Sequence, residues 1–195
     1  MLRGLSGAVG PGRVLGVLGR NGVGKTTLMR ALTGFLPLKQ GRVALAGRDL
    51  ARVAPQQRLA AGMAYAPQED VVFGELSVSE NLWLHLRGRD PARYADGLAA
   101  FPRLAERMGQ RAGSLSGGER KLLSFTRTLG LRASLAILDE PTEGVQPENI
   151  ERMAMLVRAQ GAGRRVRHRR AEPRVPAGHR PRRMLAPGDG QRLAA

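Results

Sequence analysis

Apolar positions in the first 160 residues alternate between short continuous runs and helical spacing. Residues 14–18 form a short apolar run that ends in a glycine-rich loop and reads as a strand. Residues 25–33 then read as a helix closed by Gly34. Further strands are predicted at 42–45 and 63–65. Between residues 78 and 107 the spacing turns helical, carried by Leu82, Leu84 and Leu86 and then by Leu98, Phe101 and Leu104, with a break at Asp90-Pro91. A helix over 119–131, a buried strand over 135–138 and a helix over 147–160 follow. This is the alternation of an α/β domain. No internal repeat is present. Beyond Gln160 neither period continues: Gly-Ala-Gly-Arg-Arg-Val-Arg-His-Arg-Arg is followed by four prolines, where an α/β sheet would add another strand.

Length and composition narrow the class. The 195 residues give room for one ordinary domain, and 42% apolar with 25% charged residues is a globular balance. With no cysteine, disulfides and thiolate metal sites are excluded, and a reducing compartment is the simpler reading. No apolar run approaches the roughly 18 residues of a membrane span. The first residues are broken by glycines, Pro11 and Arg13 before a signal-peptide core could form, so a cytosolic domain is expected. The net charge of +16 suggests an anionic partner, but its distribution weakens that suggestion. Residues 161–195 hold ten arginines and two acids, a net +8, and the first 160 residues hold 22 bases and 14 acids, also +8.

Two motifs carry chemistry. Gly19, Arg20, Asn21, Gly22, Val23, Gly24, Lys25 and Thr26 fit G-x-x-x-x-G-K-[ST], with a predicted strand before and a helix after, and Thr27 continues the run. Glycines there let backbone N–H groups curl around phosphate oxygens, and the helix N-terminus adds its dipole. Lys25 would reach the β- and γ-phosphates of ATP, and the Thr26 hydroxyl would ligate Mg²⁺. The competing reading is an ordinary glycine-rich turn. The second motif is Leu135-Ala136-Ile137-Leu138-Asp139-Glu140, a strand whose carboxyl end presents two acids. Asp139 would hold Mg²⁺ through water, and Glu140 would polarise the attacking water. Taken alone, the pair could equally be a strand followed by capping acids.

Leu115-Ser116-Gly117-Gly118-Glu119 and Tyr65-Ala66-Pro67-Gln68 complete the set. In the order loop, Gln, Ser-Gly-Gly, Asp-Glu, the chain resembles the nucleotide-binding subunits of ABC transporters from residue 2 to about 160. The stretches 19–29 and 139–147, with the short interval between Gln68 and Ser116, resemble subunits that power branched-chain amino-acid and urea importers. The resemblance implies an α/β P-loop NTPase of the ABC type over 1–160, with a small helical subdomain at about 76–130. It implies that Gln68 contacts the Mg²⁺ and water region and senses the membrane subunit. Leu115, Ser116, Gly117, Gly118 and Glu119 would serve the γ-phosphate of a nucleotide held by a second subunit. Two complete sites then need a head-to-tail pair of nucleotide-binding subunits. That pair would dock on membrane-spanning permease subunits at the inner face of the cell membrane, fed indirectly by a periplasmic solute-binding protein. Residues 69–76 are the candidate docking surface.

The resemblance fails in two places. The family's earlier strand and its adenine-stacking aromatic residue have no counterpart, Met1 standing just before the family's Leu-Arg-Gly-Leu-Ser. Downstream, where the family carries a strand and a switch residue, the chain reads Arg-His-Arg-Arg-Ala, and His168 lacks a preceding apolar strand. Reading each codon's last two bases with the next codon's first permits AAFVIVEQNLAFLLAIA from the Arg164/Arg165 junction to the Arg180/Pro181 junction. That string is a strand followed by an apolar helix, with Gln at the Ala171/Glu172 junction. Translation out of frame from about residue 164 is therefore expected, and with it weak nucleotide binding and little turnover. The alternative is an ABC-type protein that binds nucleic acid through its basic 161–195 tail. It is disfavoured, because that tail has no Tyr, Phe or Trp for stacking and no amphipathic period.

Overall fold

The computed structural model describes residues 4–161, apart from Asp70 and Arg87. Helix α1 (Lys25–Thr33) starts after Gly24 at φ 101° and stops at Gly34 at φ 84°. Gly34 is required twice over: a left-handed C-cap suits glycine, and a Cβ there would lie 2.7 Å from the Arg58 guanidinium. Arg58, only 2% exposed, donates to the carbonyls of Leu32, Val53 and Leu50, pinning the end of α1. Strands β1 (Ala44–Leu45) and β2 (Arg48–Asp49) pair antiparallel across Ala46-Gly47. Both turn residues have positive φ, as a two-residue hairpin of right-handed strands requires. Helix α2 (Pro55–Ala60) follows, with proline in its first turn.

Strand β3 (Met63–Ala66) pairs in parallel with β4 (Leu135–Leu138), Met63 opposite Leu135 and Ala66 opposite Leu138. Because the strands end level, the residues just past them, Gln68 and Glu140, emerge side by side. Between the strands lie α3 (Val78–Trp83), α4 (Ala95–Ala100), α5 (Pro102–Glu106) and α6 (Gly117–Gly130), and α7 (Pro147–Gly161) closes the described chain. One core joins Val78, Leu82, Tyr94, Phe101, Leu123 and Phe125 to Met153 and Leu156 of α7. A second, smaller core packs Met29 and Leu32 of α1 against Val43, Leu50, Met63 and Ile137.

Three expectations need correction. Residues 14–18 join no strand ladder among the described residues, and Val14 and Leu18 are 67% and 75% exposed. An apolar run signals a wish for burial and does not by itself supply a neighbour for its backbone groups. Strand β4 is not buried throughout: only Ile137 is, with Ala136 exposed and Leu135 and Leu138 between. The helical stretch over 78–107 breaks at Asp90-Pro91 as expected and once more at Pro102, which starts a new turn. The helices expected at 25–33 and 147–160 form within one residue of their bounds. The candidate switch His168, the basic tail and the out-of-frame segment lie outside the described residues.

Candidate functional site

The loop before α1 is shaped by its glycines. Gly22 and Gly24 hold φ 81° and 101°, and a Cβ on Gly19 would meet the Val23 side chain at 2.8 Å. Helix α1 has neither a side-chain cap at its N-terminus nor an acid in its first turn. Its first N–H groups and its dipole therefore remain available to an anion. Arg20 and Val23 are exposed on the rim, and the Arg20 carbonyl accepts from Lys25 Nζ at 3.3 Å.

A cavity of about 320 Å³ opens beside the loop, lined by Asn21, Gly22, Gly24, Lys25, Thr26, Thr27, Gln68, Glu140 and Glu143. Thr26 Oγ1 donates to Gln68 Oε1 at 3.3 Å, and Gln68 Nε2 donates to Glu140 Oε2 at 3.1 Å. Lys25 Nζ lies 3.3 Å from Glu140 Oε1 and also donates to the Gly19 carbonyl at 3.0 Å. Thr26, Gln68, Glu140 and Lys25 thus close one polar ring across elements far apart in sequence. Glu140 holds φ 45°, a left-handed conformation that a non-glycine residue adopts at a cost. Phosphate oxygens entering the loop would compete with Glu140 for Lys25, leaving the carboxylate to accept a proton from water.

Asp139 stands behind the cavity. It is 3% exposed, does not line the cavity, and its Oδ2 accepts from the Tyr65 hydroxyl at 3.4 Å. Burial and then the negative charge of Asp139 push that hydroxyl's pKa up to about 12, so Tyr65 stays a neutral donor. The Thr26 hydroxyl and the Gln68 amide oxygen, 3.3 Å apart, are hard oxygen donors that fit Mg²⁺, with the Asp139 carboxylate one layer behind. Such an ion takes few protein ligands and completes its shell with water and phosphate. Bound there, Mg²⁺ would neutralise charge on the phosphates.

Leu115, Ser116, Gly117, Gly118 and Glu119 are absent from this cavity. Ser116 caps α6 in a reciprocal box: its Oγ accepts from the Glu119 N–H at 3.2 Å, and its N–H donates to Glu119 Oε2 at 3.0 Å. Arg107 donates to both Glu119 oxygens at 3.1 and 3.2 Å. The backbone hydrogen bond from Ser116 is the main reason the Glu119 carboxyl lies below its ordinary range. Leu115 is buried in the core, so its side chain is not offered to any ligand, whereas Ser116 and Gly117 are exposed. Gly118 packs so closely that a Cβ would lie 2.7 Å from the Gly144 carbonyl.

Sequence reasoning missed two participants. Glu143 lines the cavity, and Lys121 of α6 stands behind that lining, donating to the Gln68 carbonyl at 2.6 Å with Glu143 Oε2 at 3.7 Å. Lys121 left one signal, being one of three lysines in a chain whose other basic residues are all arginine. Nothing in the spacing marks Glu143.

A phosphate-cradling loop on a helix N-terminus, facing a Gln and a Glu from two parallel strands, defines a P-loop nucleotide-binding protein. The ABC transporter family model matches residues 2–143, and the chain belongs to that family. It is 38% identical over 142 residues to the probable branched-chain amino acid transport ATP-binding protein LivF of Archaeoglobus fulgidus, covering 71% of this chain and 60% of that one. It is 32% identical over 171 residues to the lipopolysaccharide export system ATP-binding protein LptB of Acidithiobacillus ferridurans, covering 84% and 71%. The crystal structure of a nucleotide-free ATP-binding cassette from an ABC transporter superposes with TM-score 0.69 at 27% identity, over 82% of this chain and 70% of that one. The chain spans about 60% of the length of the first relatives it matches. Its fold is the α/β P-loop fold of ABC cassettes. Among the described residues no helix is long and apolar enough to cross a membrane.

Proposed function

We propose that the chain is the ATP-hydrolysing subunit of an ABC importer for branched-chain amino acids or urea and related amides. The Gln68–Glu140 contact supports hydrolysis, because it sets a carboxylate beside the phosphate loop with its second oxygen on Lys25. The likeness to LivF supports the solute class. In this reading Thr26 and Gln68 hold Mg²⁺ directly and Asp139 acts one layer behind, through water. Ser116, Gly117 and Gly118 complete the site of a second nucleotide-binding subunit, to which they present an exposed helix N-terminus. Residues 69–76, with Phe73 52% exposed, meet the permease on the cytoplasmic side of the membrane. Glu140 is the residue that accepts the proton of the attacking water.

The experiment is ATP turnover by the complex purified with its permease partners in proteoliposomes, comparing leucine, urea and a sugar as solute. Stimulation by leucine or urea alone supports the reading; stimulation by the sugar, or export, overturns the solute class. Out-of-frame translation from about residue 164 has its own test, which is resequencing the gene through that region.

A further inference from the structure

Helix α6 touches both halves of the machinery. Its N-terminus is the Ser116 cap, and two of its cations hold the segment that leaves Gln68. Lys121, its side chain 13% exposed, donates to the Gln68 carbonyl at 2.6 Å and to the Glu140 carbonyl at 3.5 Å. Arg127, 7% exposed, donates to the Val71 carbonyl at 2.8 Å and lies over the Phe73 ring at 5.8 Å. Gln68 and Val71 are thus each held at a backbone carbonyl by a cation of α6.

The far end is fixed again. Fully buried Asn81 of α3 accepts from the Phe73 N–H at 2.9 Å and donates to the carbonyls of Phe73 and Ser77, both at 3.0 Å. Arg127 Nη1 lies 3.4 Å from Asn81 Oδ1. Two residues beyond Asn81 stands Trp83, the one tryptophan of the chain, edge-on to Tyr94 at 4.9 Å. Hydrogen bonds thus tie α6 at Lys121 to Gln68 and Glu140 beside the cavity and, six residues on, at Arg127 to Asn81 on the helix that carries Trp83, the helix itself joining the two.

We propose that Lys121 is a positioning residue for Gln68, and that with Arg127 it makes α6 a strut coupling the cavity to residues 71–77 and α3. The proposal rests on the nucleotide-site reading and adds to it the side chains that carry the coupling. Contiguity alone is not coupling, so the test must read both ends at once. A fluorescent ATP analogue with Mg²⁺ reports binding, and Trp83 emission with unlabelled Mg-ATP reports the far end.

The wild-type chain should bind the analogue and show a saturable change in Trp83 emission at the same ATP concentrations. Lys121→Gln should keep its melting temperature, move affinity by less than about fivefold, and lose most of the Trp83 change. Lys121→Arg, which keeps a cationic donor, should restore it. Arg127→Lys should also be silent, and if that variant does not fold the Lys121 pair carries the test. Binding with a silent wild-type Trp83, or a full signal in Lys121→Gln, overturns the strut and leaves the nucleotide site standing. Failure of the wild-type chain to bind the analogue overturns both.

Discussion

Two helix N-termini in this molecule are suited to phosphate, and they are finished in opposite ways. Helix α1 is entered through Gly22 and Gly24, with no side-chain cap and no acid in its first turn. Helix α6 is capped by its own residues, Ser116 and Glu119 bonding each other's N–H groups while Arg107 pairs with the carboxylate. An uncapped terminus leaves several N–H groups for a ligand, and a capped one gains about 1 kcal/mol of its own stability. The contrast divides the labour. On the proposed reading, the α1 end would bind phosphate by itself, next to the groups that act on it, and the α6 end would be a stable, exposed platform for a nucleotide presented by another subunit.

The largest expected effect lies at the α1 end. Glu140→Gln keeps the size of the side chain but turns one of its two accepting oxygens into a donor and removes the proton acceptor, and should lower turnover by about 10²–10⁴-fold while Mg-ATP still binds. Single-turnover rates with equilibrium binding separate the two quantities. If turnover falls no more than tenfold, Glu140 is not the acceptor. At the α6 end the effect is on stability. Ser116→Ala should cost about 1 kcal/mol in urea unfolding, with Mg-ATP affinity of dilute protein nearly unchanged. A large loss of that affinity would mean that the two helix ends share one site within a chain.

The smallest effect is a pH dependence at the same cap. The folded pKa of Glu119 is depressed, first by the Ser116 N–H. Its contribution is therefore fully present above the ordinary carboxyl value of 4.5 and is lost as pH falls through the lowered value. The Glu119→Gln variant should show a shallower loss of stability on acidification below that point than the wild-type chain. Glu80 shifts in the same direction at the Ser77 cap, so the comparison must be between variants rather than absolute.

Much of the site was legible because its chemistry is written in consecutive residues. The Gly19–Thr27 run and the Ser116–Glu119 box are local, and helix α1 followed from its flanking glycines. Gln68 and Glu140 could be placed at strand ends, but their 3.1 Å contact depends on the level register of β3 and β4. The contact of Asp139 with a tyrosine on the neighbouring strand could not be read, because a residue at a strand end can face the cavity or turn inward. Lys121 could not be assigned a partner, since its 2.6 Å bond goes to a backbone carbonyl 53 residues away, which no side-chain pattern records. The run over 14–18 was read correctly as apolar and wrongly as paired, because pairing depends on which strands lie beside it.

The central claim is that the loop ending in Lys25 and Thr26 is a nucleotide phosphate site. Calorimetric titration of Mg-ATP into the wild-type chain and into Lys25→Met tests it directly. The account predicts saturable binding at one site per chain, weakened about ten- to hundredfold by the substitution, as expected for loss of a charge-assisted bond. Equal affinity in the two proteins would contradict it.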